Sequence, residues 1–365
     1  MHNGLTKLKT STPGRVCLFG EHQDYLNLPI IASAISLRIS IEGHRRGDSS
    51  VIIHLPDIES EESFSLSDPI KYENDRDYFK SVVSVLRRHE LSFSKGIECT
   101  VTGKIPINAG TSSSSALVVT WVNFLAAMSE QSVNLSPEDI AQYAYEAEVL
   151  EFSEPGGMMD QYSTSIGGII FLDSYPKIQV KKLHPKLGNL VLGNSGEPKD
   201  TKLILARVKN QIQRVVGELR KSYPDFSLQT ISESRIDNYS KSLTDEQVEL
   251  LHGTIRNRDI TMQALKALNE TTLDHKLVGN LMNEHQEVLR DVLKISTPKI
   301  DRMIEAALSA GAYGAKINGS GGGGCMFAYA PNNPQKVKEA IEREGGEAYT
   351  LTVDEGTRSS YLGAD

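Results

Sequence analysis

The run Gly321-Gly322-Gly323-Gly324 lies between two apolar stretches, Ala312 to Ile317 and Cys325 to Ala330. Four consecutive glycines cost chain entropy on folding. A flexible surface linker is the plain reading of such a run. The apolar flanks read as core strands, which favours a loop whose backbone something approaches closely. The last third of the chain is thereby held to strand, glycine loop and strand, then a helix over 334–344 and a strand over 348–353. That order suits a small antiparallel sheet with helices on one face, a split βαβ arrangement.

Helical periodicity precedes it, over 203–219, 246–268, 277–293 and 299–310, and Leu190-Val191-Leu192 reads as a strand. The first half is richer in strands. Ile35, Leu37, Ile39 and Ile41 alternate with polar residues, and 51–55 and 97–101 read the same way, with Cys99 inward. Asp77 to Arg88 has helical spacing. Ser113 to Met128 is apolar nearly all round and predicts a buried helix. Ser136-Pro137 opens another, with serine as cap and proline in the first turn. Gly168 to Leu172 is a short buried strand. The change in composition puts a boundary near 185–190, giving two domains, 1–188 and 189–365.

The chain has 365 residues, enough for two domains with sizeable cores, and its 39% apolar and 24% charged residues are ordinary for a globular protein. Net charge is −8, no Lys/Arg run is long, and His44-Arg45-Arg46 reads as a solvated strand end or turn, so no nucleic-acid surface is expected. No apolar stretch is long enough for a bilayer, and residues 1–12 lack a signal-peptide core, so a cytoplasmic protein without a membrane partner is expected. The three scattered cysteines, Cys17, Cys99 and Cys325, read as reduced thiols without metal-ligand spacing.

Three more segments carry chemistry. Pro13 to Tyr25 ends an apolar stretch on Arg15, Glu21, His22 and Asp24, four charged or polar groups within ten residues. A segment that only had to pack would not carry them together, although a structural ion-pair cluster is the alternative. Lys104 to Ala116 follows a strand and runs through Asn108, Ala109, Gly110, Thr111, Ser112, Ser113, Ser114 and Ser115 into the buried helix. Small residues and helix-start N–H groups suit an anion, and a serine-capped helix after a flexible loop is the equal alternative. The Gly-Lys-Ser/Thr ending of a Walker loop is absent. Glu148 lies near the end of an amphipathic helix, and Asp160 follows a Pro-Gly-Gly turn that presents it to a cleft, unless it only caps a helix.

In chain order, Gly14-Arg15-Val16 with Gly20-Glu21-His22 and Asp24-Tyr25, then Ile105-Pro106-Ile107 with the serine run, then Gly157-Met158-Met159-Asp160-Gln161, then Lys316 to Cys325, resemble the motifs of GHMP kinases. Within these, the galactokinase branch is the most similar. The resemblance covers about Pro13 to Ala330. It implies an α+β fold: an N-terminal mixed-sheet domain of the ribosomal S5 domain 2-like type, a C-terminal ferredoxin-like domain with added helices, and an active site in the cleft between them. The implied reaction moves the γ-phosphoryl of ATP to the anomeric hydroxyl of a small sugar, in a monomer or a dimer.

By motif match Asp160 would orient or deprotonate the acceptor hydroxyl, and Arg15 would stabilise charge on the phosphoryl group. Glu148 and Ser114 match Mg²⁺-contacting positions. Residues 108–115 would cradle the phosphates, and Gly319, Ser320, Gly321 and Gly322 would close the site. Glu21, His22, Asp24 and Gly157 match positions that hold sugar hydroxyls. Two departures leave the acceptor open. Leu26-Asn27-Leu28 stands where galactokinases have Asn-Gly-Gly or similar, and Leu205-Ala206-Arg207 stands near the place of an aromatic wall. A mevalonate-type kinase and a catalytically silent sugar sensor are the competing readings.

Overall fold

The computed structural model describes residues 7–107 and 109–362, leaving aside the Ser240 side chain. The chain opens with β1 (Lys7–Phe19), a 3₁₀ turn at Asp24–Leu26, β2 (Ile30–Arg45), β3 (Ser50–Leu55), β4 (Ser60–Ser65), α1 (Tyr78–Arg88) and β5 (Ile97–Gly103). Next come α2 (Ser113–Met128), α3 (Pro137–Tyr145) running into a π-helical turn Glu146–Leu150, α4 (Met159–Ile166), β6 (Ile169–Asp173) and β7 (Gln179–Leu183).

These strands form a mixed sheet in which β1, β2, β5, β3 and β4 follow in that order. The β3–β5 pair is parallel, and its other pairs are antiparallel. β2 is long enough to serve two neighbours: Ile30–Ser33 pair with β6, and Ile39–Arg45 pair with β5. The alternation over 35–41 marks only the middle of this strand. Its first residues, 30–35, are buried on both faces, so no period-2 pattern announces them. β4 was not anticipated either: Ser-Glu-Glu-Ser-Phe-Ser is a polar edge strand, mostly exposed.

α2 packs on β1 and β2 and against α1, α3 and α4. Being covered on all sides explains its all-round apolarity, and the helix runs over the residues expected of it. Trp121 and Phe124 stack in its core, and the Trp121 indole N–H donates to the Phe79 carbonyl at 3.0 Å. The expected cap at Ser136 is present, its hydroxyl accepting from the Asp139 N–H at 3.1 Å, a contact worth about 1 kcal/mol.

The second half contains β8 (Leu190–Asn194), α5 (Thr201–Ser222), a 3₁₀ stretch Glu233–Ser242, α6 (Asp245–Leu268), α7 (His275–Glu287) with a π-helical turn Val288–Val292, and α8 (Pro298–Ser309). β9 (Gly314–Asn318), β10 (Cys325–Tyr329), α9 (Pro334–Arg343), β11 (Glu347–Leu351) and β12 (Arg358–Leu362) complete it. The expected small antiparallel sheet is β11-β8-β10-β9, with α8 and α9 packed on it. The last strand does not stay there. β12 returns to the first sheet and pairs antiparallel with β1, Lys7 opposite Leu362. No described helix is long and apolar enough to cross a membrane.

Candidate active site

A cavity of about 320 Å³ opens where the end of β1, the start of α2, the π-helical turn, the start of α4, the start of α5 and the loop after β9 converge. Arg15, on β1, is nearly buried. Its Nε and Nη2 both meet Asp160 Oδ1 at 2.7 Å, and its Nη1 donates to the Gly110 carbonyl at 2.5 Å. Burial opposes the guanidinium charge, but Asp160 and then Glu21 outweigh it and raise the pKa of Arg15. Asp160 sits in the first turn of α4, where the helix N-terminus favours a carboxylate. Both Arg15 contacts fall on Oδ1 and leave Oδ2 without a donor among the described residues. The Pro-Gly-Gly turn was foreseen, and the helix weighed as the alternative follows it at once, with Asp160 inside its first turn and Met158 at its cap.

Asn318 ties this pair to the far side of the cavity. Its Oδ1 accepts from the Cys17 N–H at 2.9 Å, and its Nδ2 donates to the Gly110 carbonyl at 2.8 Å. Gly110 therefore carries two donors, one from each sheet.

Glu21, His22, Asp24 and Gly157 all border the cavity, on different terms. Glu21 is 1% exposed, ion-paired to Lys316, and accepts from the Gly319 N–H at 2.5 Å. His22 holds a left-handed backbone (φ 61°). Its Nε2 bonds the Ser320 carbonyl at 3.0 Å, which can only accept, so Nε2 carries the proton and Nδ1 accepts from the Tyr25 hydroxyl at 2.6 Å. Burial lowers its pKa to about 4 and keeps the ring neutral at physiological pH. Asp24 accepts from the Tyr25 N–H at 2.9 Å and the Met159 N–H at 3.1 Å. Burial, and then the Asp160 charge, raise its pKa to about 6. A Cβ at Gly157 would run into the Asp24 carboxylate, so only glycine fits there.

In the serine loop, Gly110 and Ser112 to Ser115 line the cavity. Ser112 precedes α2 in a left-handed conformation and makes no side-chain cap, so the first-turn N–H groups of α2 are left for an outside acceptor. Ala109 lies in the core beneath, and Thr111 is fully buried with its carbonyl accepting from the Arg15 N–H. Asn108 lies outside the described residues. In the glycine loop, Gly319 and Ser320 reach the cavity, whereas Gly321 and Gly322 press on Ile295 and Ile204 instead. Both have positive φ, 77° and 72°, a backbone that favours glycine.

Glu148 projects from the π-helical turn, buried, and accepts from Gln161 Nε2 at 2.6 Å. Burial raises its pKa, while hydrogen bonds from Gln161, Ser115 and Ser114 hold it down. Gln161 Oε1 and Ser112 Oγ are buried without partners among the described residues. This all-oxygen set fits a hard cation such as Mg²⁺. No cluster of three His, Cys, Asp or Glu among the described residues could hold a metal by itself, so phosphate oxygens would complete the shell.

Lys199 and Arg76 had gone unread, whereas Tyr78 and Phe79 had been weighed as adenine neighbours against an ordinary core role. Lys199 borders the cavity, its ammonium beside Gly110, with no carboxylate partner among the described residues. Burial, and then the Arg15 charge, lower its pKa to about 8. The signal was a lysine just before the positive end of α5, where the helix dipole disfavours it. Arg76, paired with Glu154 at 3.0 Å, and Tyr78 also border the cavity. Phe79 is a core residue against Trp121.

The model for the N-terminal domain of GHMP kinases matches residues 77–168, and that for their C-terminal domain matches 262–348. The chain is 31% identical over 345 residues to mevalonate kinase of Pyrococcus horikoshii, covering 92% of each. It is a GHMP kinase. A galactokinase galactose-binding signature also matches this kinase, over residues 6–45. Galactokinase of Mannheimia succiniciproducens is 27% identical to it over 351 residues, 92% of this chain and 88% of that one. Lactococcus lactis galactokinase complexed with galactose shares the fold with a TM-score of 0.86, at 20% identity over 96% of this kinase and 95% of that chain. For Methanococcus jannaschii mevalonate kinase the TM-score is 0.73, at 19% identity over 97% and 100%. GHMP kinases are phosphotransferases that take the phosphoryl group from ATP, and the kinase described here belongs with them.

Proposed function

We propose that this kinase transfers the γ-phosphoryl of ATP to the anomeric hydroxyl of a neutral monosaccharide, galactose or a related pyranose. The observation that supports the reading is that Asp160 and Asp24 line the cavity together with a neutral His22. Carboxylates accept hydrogen bonds from hydroxyls and repel an anionic acceptor. The galactose-binding signature falls on this segment. A mevalonate-type reaction is the second reading, favoured by relatives such as the Pyrococcus horikoshii enzyme; its carboxylate substrate would have to meet those acids.

In the reaction, the acceptor hydroxyl gives its proton to Asp160 as its oxygen bonds to Pγ. The Pγ–O bond to the β-phosphate breaks and ADP leaves. Arg15 and the first-turn N–H groups of α2 neutralise charge spreading over the phosphoryl oxygens. Glu148 and Ser114 would hold Mg²⁺, which supplies further charge neutralisation when bound. A coupled ADP-release assay over free sugars and mevalonate tests the reading. Turnover on a sugar is expected. Turnover on mevalonate alone, or none despite tight ATP and sugar binding, would overturn it.

Two pH dependences follow. The pKa of Asp24 is raised above its unfolded value, so this residue stabilises the fold fully below about pH 4, and that contribution is lost as pH climbs through about 6. Substrate binding runs the other way, because the protonated carboxyl is a poorer acceptor. The KM for the sugar should rise as pH falls through about 6 while that for ATP does not follow. A sugar KM constant from about pH 5 to 7.5 would remove Asp24 from the substrate site.

Lys199 gives the opposite limb. Activity should decline as pH rises through about 8 and the ammonium loses its proton. Lys199→Arg should carry the plateau to higher pH, and Lys199→Met should lower kcat on the order of 10²-fold. An alkaline limb unchanged in Lys199→Arg would assign it to another group.

A further inference from the structure

Lys316 is fully buried on β9, outside the cavity lining. A buried ammonium is costly unless all its donors are met. Here they are: Nζ donates to the Cys17 carbonyl at 3.0 Å, to the Ile317 carbonyl at 2.8 Å, and to Glu21 in an ion pair, with the Phe327 ring 5.1 Å away. Glu21, in turn, gives its other oxygen to the Gly319 N–H. The chain that carries Lys316 is stitched to the opposite segment at every polar step: Asn318 to Cys17 and Gly110, Gly319 to Glu21, Ser320 to His22. The same Gly110 carbonyl receives Arg15.

We propose that Lys316 and Glu21 form a positioning pair that sets the backbone of 318–320 against Arg15 and Gly110. Glu21 then acts on phosphoryl transfer through the Gly319 N–H, not as an acceptor for a substrate hydroxyl. Lys316 is a positioning residue, since it touches neither the cavity nor the reacting groups. With 1% of its surface exposed, Glu21 leaves the reading of sugar hydroxyls to Asp24, whose two oxygens also accept backbone N–H groups but which is only partly buried. This inference rests on the kinase reading for its kinetic part only.

The test compares Glu21→Gln, Lys316→Met and the double variant E21Q/K316M by steady-state kinetics and by amide hydrogen exchange of the 317–325 segment. Each single change strands a buried charge; the double change removes both charges and keeps an acceptor for the Gly319 N–H. Either single variant should lose about 10²-fold in kcat, with the sugar KM within about threefold, because small misplacements of reacting groups cost that much. Exchange over 317–325 should quicken in both. The double variant should recover at least about tenfold in kcat over either single, and regain slow exchange, as coupled neighbours do. If Lys316→Met does not fold, Glu21→Gln against the double carries the comparison. A raised sugar KM with unchanged kcat in Glu21→Gln would make Glu21 a substrate ligand and overturn the proposal. So would a double variant no better than the product of the singles. Wild-type protein that turns over no acceptor overturns the proposed function, and exchange still reads the pair on its own.

Discussion

Asp160→Asn should lower kcat by about 10²–10⁴-fold, the range a positioned general base contributes, while the ATP affinity stays near that of the wild type. The asparagine oxygen can still accept from Arg15 Nε, now at 2.7 Å from Oδ1, so the fold and the α4 start survive the change. What is lost is the carboxylate that takes the proton from the acceptor. Single-turnover ADP formation is the measurement, with thermal unfolding as the control. A rate within about tenfold of wild type would deny Asp160 the proton-transfer role.

Arg15→Met is expected to cost about 10²–10³-fold in kcat, the magnitude seen when one preorganised donor to a developing anion is removed. The loop should not collapse, because Asn318 Nδ2 still holds the Gly110 carbonyl. Nor is Asp160 left as a buried lone charge, since 29% of its side chain is exposed. The stability loss should therefore stay near the worth of the charged hydrogen bonds themselves, about 1.5–3 kcal/mol. Arg15→Lys should recover little, because a point charge cannot reach Asp160 and the Gly110 carbonyl together as the guanidinium fork does. A kcat unchanged in Arg15→Met, with only KM raised, would reduce Arg15 to ground-state binding.

How much of this was legible depended on where a residue's surroundings leave a mark in the sequence. α2 read cleanly because burial on all sides demands apolar residues on all sides, and Ser136 because a helix cap is a local bond. β4 and β12 left no mark: they are exposed edge strands with almost no apolar side chain to bury. The eight-residue α4 was open only as a possible cap at Asp160, because Pro155-Gly156-Gly157 signals a turn and does not say what begins after it. At the site, motif order pointed to Arg15 and Asp160, which stand 145 residues apart in the chain yet share a carboxylate oxygen. It could not show that Gly321 and Gly322 lie outside the cavity lining. Lys316 and Asn318, polar residues in an otherwise apolar strand, were on view but carried no geometry until the opposite segment was placed beside them.

The return of β12 to β1 makes the two halves inseparable in a way their separate sheets do not suggest. A cut near residue 188 would leave the first half with β1 as a bare edge, its row of N–H and C=O groups open to any passing strand. The second half would keep five residues with nothing to pair against. Lys7 and Leu362 sit opposite each other, so a short linker joining these two residues would tolerate a new break opened in an exposed loop elsewhere.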